Sequence, residues 1–400
     1  MLPVLVRDGF EGKIYCTAAT ADIAKFILED IAGIQEQDAE HFNKHLPEGE
    51  AEIKPIYTQE DVRRVAGKFS PVPYFRLSHE WTQLAPGIRF KFYDAGHILG
   101  SAITLLEITE NQEKKNLIFT GDLGRHFLPI LRDPEFVQES AEILMIESTY
   151  GSRIHKPVAD LEGELKTIIT EAVKNKSKIV VPAFSLGRTQ ELLYVIHKLL
   201  DTGEIPSLPI FVDSPLAQKI TRVFNTYTND FDEEFWKDFG ERGEKAFLFD
   251  ALTITASVKE SQSINEKKGP FMVIAGSGMC EGGRILHHLK NTIQDENTVI
   301  LITGYQGEGT LGRKIIEGVS PVKIFGLPYD VKARVKILNE LSAHADQKDL
   351  LTYMKHIKGL KKVFLVHGET KESSVLKDLA EREIPGIDIQ IPSLKSSFEV

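Results

Sequence analysis

The chain has 400 residues, 42% hydrophobic and 26% charged, which suggests roughly two globular domains and excludes a disordered or fibrous protein. Its net charge of −10 argues against a protein that coats polyanions with broad basic patches, but not against one holding a polyanion in a local groove, so the bulk charge decides nothing. No apolar run approaches the ~20 residues that span a bilayer, no signal peptide is legible, and Cys16 and Cys280 form no paired motif, so a reduced, cytoplasmic location with no membrane partner is expected.

The opening Leu2-Pro3-Val-Leu-Val-Arg reads like the inside of a domain, with no polar lead-in. Residues 12–17 form a short expected strand, and residues 18–32 an amphipathic helix that Gly33 is placed to end. Residues 35–50, with His41 and His45, are polar and weakly periodic, and predict a mobile helix or loop. Residues 57–66 predict a helix, with Thr58 as N-cap and Glu60-Asp61 at the positive end of the dipole. Strand-like segments fill 72–94. The alternating run 88–93 then leads through Asp94-Ala-Gly-His97-Ile-Leu-Gly-Ser101 into a second strand at 102–108.

Three later strands also end on a residue that binds metal or moves protons. Residues 116–121 run into Asp122, 143–146 into Glu147, and 363–366 into His367. Each alone has a plain alternative: Asp122 as a turn residue, Glu147 as the start of a cap, His367 as a turn. His344, in Leu-Ser-Ala-His-Ala-Asp, could open a helix capped by Ser342. Their joint occurrence beside Gly or Ser raises the alternative of a metal site, since carboxylate and imidazole suit zinc and an aspartate can bridge two ions.

After Arg153 the rhythm changes. Apolar residues on one helical face at 161–172 precede strands at 178–182, 208–212, 270–275 and 299–303, separated by helices at 190–200, 216–224 and 283–289. This alternation predicts a mostly parallel sheet with helices on both faces, over residues 156–324. Its turns carry Ser185, Arg188, Ser277, Gly278 and Arg284, with a third Gly-rich turn at 304–313. Such turns suit an anion at a helix N-terminus, or are simply tight connections. Dinucleotide and Walker spacings are absent. Asp213 is another strand-end acid, or a cap; His197 reads as a packing residue, and His287 and His288 as neighbours pointing apart. The tail predicts a strand at 331–338, a helix at 347–356, a strand at 363–366, a helix, and a strand at 387–391.

Taken together, Gly-His97-Ile-Leu-Gly-Ser, Thr-Gly-Asp122, Ile-Glu147-Ser-Thr-Tyr-Gly, Ser-Ala-His344 and Val-His367-Gly resemble, in order, motifs of the β-CASP group of the metallo-β-lactamase superfamily. These are zinc-dependent nucleic-acid hydrolases that include RNase J and the endonuclease of mRNA 3′-end cleavage. Pro182-Ala-Phe-Ser-Leu-Gly-Arg188, Val-Asp213-Ser-Pro-Leu-Ala and Gly-Ser277-Gly278-Met are similar to segments of the group's inserted domain. The resemblance implies an α/β fold, a metallo-β-lactamase αββα sandwich (residues 1–155 and 325–400, the latter an RNA-specificity segment) with an inserted doubly wound β-CASP domain at 156–324.

It also implies a ribonuclease in which metal-activated water cleaves phosphodiester bonds of single-stranded RNA. His97, Asp122 and His367 would hold metal, His344 and Glu147 would be catalytic, and Ser185, Arg188, Ser277, Gly278 and Arg284 would bind substrate. The family's His-x-His-x-Asp-His precedes a Leu-Pro segment like Leu2-Pro3, and Met1 stands where it would end. The expectation is therefore an N-terminally truncated chain with an incomplete two-zinc site and doubtful activity, able to associate as a homodimer. The alternatives are a non-catalytic RNA-binding or assembly subunit of the same fold and, further off, a small-molecule metallo-hydrolase.

Overall fold

The computed structural model describes every residue except 45, 48, 49, 159, 241–245 and 400, so His45 lies outside the described residues. The fold is mixed α/β, built on two large sheets. One has seven strands, in the order Asp388–Gln390, Lys362–Val366, Ile143–Glu147, Glu113–Phe119, Ala102–Glu110, Ile88–Asp94 and Thr82–Ala85. The first four run parallel and the last four antiparallel, with Glu113–Phe119 belonging to both sets.

The other sheet has six strands, all parallel: Leu252–Ile254, Ile210–Asp213, Phe271–Ala275, Lys178–Pro182, Thr298–Ile302 and Arg334–Ile337. Its central strands are continuous apolar runs because both faces are covered. Ile179, Val181, Ile210, Val212, Met272 and Ile274 bury into one core, while the alternate residues Val180, Phe211, Phe271, Val273 and Ile300 bury into another. Arg334–Ile337 pairs with Thr298–Ile302, so this sheet takes a strand from beyond the expected boundary at residue 324. The reason is that Val335 packs against the buried core on one face of this sheet.

Two expectations near the start are corrected. Residues 2–7 are not interior: Leu2–Arg7 is a short helix with Pro3 its one buried residue and Leu5 half exposed. Proline favours a first helical turn, and the run is too short to bury a full face. The helix expected to end at Gly33 continues over Ala18–Asn43, through much of the polar segment. Ala32 is fully buried, Gln59 Nε2 donates to Glu29 O at 2.6 Å and Gln35 accepts from Ile56 N–H at 2.9 Å, so tertiary contacts outweigh the modest helical cost of one glycine. Elsewhere Gln59–Ala66 has Thr58 as its cap, in a reciprocal box with Asp61. Helices Glu233–Phe239, Val258–Asn265 and Leu311–Ile316 lie outside the expected elements. Cys16 and Cys280 are buried and unpaired. Among the described residues, no helix is long and apolar enough to cross a membrane.

Candidate metal centre

The register of the seven-stranded sheet assembles the site. Glu113–Phe119, Ile143–Glu147 and Lys362–Val366 lie side by side and parallel, with Phe119 opposite Met145 and Glu147 opposite Val366. Their carboxyl ends therefore deliver Asp122, Glu147 and His367 to one edge. Ile88–Asp94 and Ala102–Glu110 are antiparallel, with Asp94 opposite Ala102, so their connecting turn places His97 at that edge too. Carboxyl ends of parallel strands are the usual location for ligands in such sheets.

His344 arrives from the turn before helix Gln347–His356, whose cap is Asp346. Gly124 and His344 pair in a bridge, Arg125 N–H donates to Ala343 O at 3.2 Å and Ala345 N–H to Leu123 O at 2.8 Å. The approach is close: a Cβ on Gly124 would lie 2.0 Å from the Gly96 carbonyl oxygen. Only glycine fits there.

The five residues form two donor groups that share one imidazole. His97, Glu147 and His344 offer ligand atoms within 4.8 Å of one another, as do Asp122, His344 and His367. Asp122 sits between two histidines, with Oδ1 2.9 Å from His367 Nδ1 and Oδ2 3.8 Å from His97 Nε2. The His97 and His344 rings are 4.4 Å apart. Glu147 is fully buried. It accepts from His344 Nδ1 at 3.0 Å and from Leu123 N–H at 2.7 Å. His367 has a left-handed backbone (φ +50°), and Thr149 Oγ1 donates to its carbonyl at 3.0 Å.

The electrostatics favour neutral imidazole deep in the site and charge at its rim. Burial, and then the neighbouring His344, push the His97 imidazolium down to about 4. Its Nδ1 faces the Ala343 backbone without a regular hydrogen bond. Asp122 is partly buried, which alone would raise it, but the His367 hydrogen bond and the other histidines hold its carboxyl low. The Asp122 hydrogen bond in turn raises His367. Two ligands each ~2.1 Å from one ion at a tetrahedral angle are about 3.4 Å apart, and the two Asp122–histidine distances straddle that separation. A carboxylate flanked by imidazoles is thus a donor set that suits zinc-class ions.

Sequence reasoning missed the aromatic and acidic residues surrounding His344. Tyr150 lies 6.2 Å from the His344 ring and 4.5 Å from His155, edge-on to the latter. Tyr305, from the turn after Thr298–Ile302 in the other sheet, is 5.8 Å from Tyr150 and donates its hydroxyl to Glu369. Those contacts bring the six-stranded sheet to the rim of the cluster. The motif residue Tyr150 was the available signal; nothing local marks Tyr305.

The expected substrate residues divide. Ser185 Oγ is 3.0 Å from Ser214 Oγ, and Gly187 (φ +79°) faces Ile98, beside His97. Ser277 Oγ accepts from Glu281 and Gly282 N–H, and Gly278 lies against the Phe184 ring. The two arginines differ from expectation because carboxylates engage them. Arg188 Nη1 donates to buried Glu191 at 2.5 Å, and Arg284 Nη1 to buried Asp213 at 2.6 Å. Asp213 also takes hydrogen bonds from Thr255, from Ser261 at 2.6 Å and from His288 at 2.7 Å, which hold its carboxyl far below the usual range despite burial. A buried carboxylate needs such partners. Asp213 is therefore a structural anchor; the helix cap is Ser214. His288 belongs to that anchor, and His197 packs between Phe239 and Phe249 with Nδ1 2.9 Å from Ala246 O.

Residues 189–315 match the Beta-Casp domain model, and residues 328–392 match the Zn-dependent metallo-hydrolase RNA specificity domain. A ribonuclease of Thermus thermophilus, TTHA0252, is 32% identical over 378 residues, covering 94% of this chain and 80% of its own length. An RNase J-like protein of Methanocaldococcus jannaschii is 30% identical over 364 residues, covering 90% of this chain and 77% of that protein. The transcription termination factor FttA of the same organism is 29% identical over 389 residues; the match covers 95% of this chain but 58% of that longer protein.

Proposed function

The chain belongs to the β-CASP family of the metallo-β-lactamase superfamily, and on that premise we propose that it is a metal-dependent phosphodiesterase of single-stranded RNA. The observation that carries this reading is the shared imidazole, His344, standing in both donor groups and anchored by buried Glu147. The RNA specificity domain match and the ribonuclease names of the relatives support RNA as substrate.

His97, Asp122 and His367 would hold zinc. A bound divalent ion supplies Lewis acidity toward a phosphoryl oxygen and lowers the pKa of water. The protein residues do the rest. Glu147 fixes the His344 ring through Nδ1, leaving Nε2 to hand a proton to the departing oxygen. Asp122 holds His367 and orients it toward the same space. RNA would enter between the two sheets, where Gly187 approaches Ile98 beside His97 and Tyr305 reaches Glu369, and Ser185, Ser277 and Gly278 would meet its phosphates. We propose one unit on the seven-stranded sheet, with strands from residues 82–147 and 362–390, and a second on the six-stranded sheet, with strands from residues 178–337.

A second reading rests on one sequence fact: His-x-His-x-Asp-His does not occur in these 400 residues. With the donors present, metal would bind weakly, and the fold would serve RNA binding without cleavage. Metal content by mass spectrometry and cleavage of a labelled single-stranded RNA separate the two. The enzymatic reading expects bound divalent metal and cleavage that falls at least ~100-fold in His344→Ala, the scale of a lost general acid. RNA binding without metal or cleavage establishes the second reading instead, and absence of RNA binding overturns both.

A further inference from the structure

The loop that leaves Asp122 carries a row of aromatic rings that the metal cluster does not use. Its path is tied to the His97 turn: Gly124 N–H donates to Ala95 O at 2.7 Å, and Glu135 N–H to Asp94 O at 2.9 Å. Between those ties lies Phe127, 80% exposed, with its backbone in the left-handed region at φ +65°. Bulky side chains rarely adopt that conformation, and such strain collects at functional sites. Here it is held in place. Phe127 N–H donates to Asp133 Oδ1 at 2.7 Å, while Asp133 Oδ2 lies 3.1 Å from His126 Nδ1.

The neighbouring rings continue the surface. His126 is 6.0 Å from Phe127 and stacks on Phe136 at 6.1 Å and 28°. Phe136 stacks on exposed His356 at 4.1 Å and 23°. Phe136 also stacks on buried Tyr353 at 5.5 Å and 20° and packs on the core, so it anchors His126 and His356, while Phe127, tilted 49° from His126, stands free at the outer end. Folding stability does not explain Phe127, because an exposed phenyl on strained backbone contributes little to a core. Asp133 and the field of Asp349 oppose phosphate at this position, which leaves ring faces as the available recognition chemistry. Arg132, exposed on the same loop, adds a cation alongside.

We propose that exposed Phe127, with His126 and His356 held beside it by the Phe136 stack, forms a stacking surface for unpaired nucleic-acid bases, receiving the strand as it leaves the histidine cluster. It rests on the RNA reading above and names where bases, rather than phosphates, are held. Stacking on aromatic rings tolerates any base, so the surface confers a preference for single strands and not for sequence.

Fluorescence anisotropy with a labelled, unstructured RNA of about ten nucleotides tests this. Phe127→Ala should weaken binding about 10-fold, and Phe127→Trp should restore it. An abasic ribose-phosphate oligomer should bind wild type and Phe127→Ala equally. The melting temperature of Phe127→Ala should stay within about 2 °C of wild type, since the ring is exposed. Unchanged RNA affinity in Phe127→Ala, an equal loss with the abasic oligomer, or weakened binding accompanied by a large fall in melting temperature overturns the stacking surface and leaves the RNA reading standing. Wild-type protein that binds no RNA overturns that reading, and this surface with it.

Discussion

Replacing Asp94 by asparagine should make the protein more stable at neutral and alkaline pH. Asp94 ends the strand before His97, is buried, and accepts from Gly96 N–H at 3.0 Å. Its neighbours are one cation and two acids. Arg76 Nη2 lies 3.5 Å from Asp94 and 2.7 Å from Asp230, and Glu135 accepts from Asp94 N–H at 2.7 Å. Burial therefore wins over the guanidinium and pushes the Asp94 carboxyl up to about 7. Moving a carboxyl from 3.8 to about 7 corresponds to about 4 kcal/mol of preference for the protonated form.

Between pH ~4 and ~7 the native state holds a proton that the unfolded chain has released, so this group makes stability fall as pH rises through that window and level off above it. A side-chain amide at this position would keep an acceptor for Gly96 N–H and remove the titration. With partial relaxation, Asp94→Asn should gain about 2–4 kcal/mol at pH 8, or about 5–10 °C in melting temperature for a domain of this size, and about a quarter of that at pH 4.5. Calorimetric scans at pH 4.5, 6 and 8 read it directly. A variant less stable than wild type at pH 8, or one with the wild-type pH slope, refutes the reasoning.

Two further substitutions test the packing around the cluster and the role of an arginine. Gly124→Ala forces a methyl to 2.0 Å from the Gly96 carbonyl; the backbone must move, at a cost of about 3 kcal/mol or more, and wild-type melting behaviour would contradict this. Arg284→Met removes one of the charged partners of buried Asp213. It should cost about 3 kcal/mol in a thermal scan while leaving RNA affinity within about 2-fold; a selective loss of RNA affinity at unchanged stability would restore the expected substrate role.

Much of the fold was legible because its signals are local. Both faces of the parallel sheet are buried, so Lys178–Pro182, Phe271–Ala275 and Thr298–Ile302 appear as continuous apolar runs between amphipathic helices. The bounds of Gln347–His356 were legible from apolar spacing, but its cap is Asp346, in a box with Asp349, and not Ser342, because the His344 segment is held in the bridge to Gly124. Polar helices were the failures. The second half of Ala18–Asn43 has a weak apolar stripe, and it is held by Gln35, Glu36 and Gln59 contacts with residues more than twenty positions away.

By itself the sequence determined which chemistry stands at each strand end, since His97, Asp122, Glu147 and His367 follow runs whose alternation or apolarity marks them as strands. The tertiary structure decided what those groups do to one another. His344 and Glu147 are 197 positions apart, yet both Glu147 oxygens lie 3.0 Å from one imidazole nitrogen. No local pattern encodes that contact. It depends on the parallel register of three strands and on the backbone bridge from Gly124. The same holds for Arg188 and Arg284, which in sequence look free for an anion. In the folded chain Glu191 and Asp213 engage them, because a carboxylate shut away from water must find its counter-charge inside the protein.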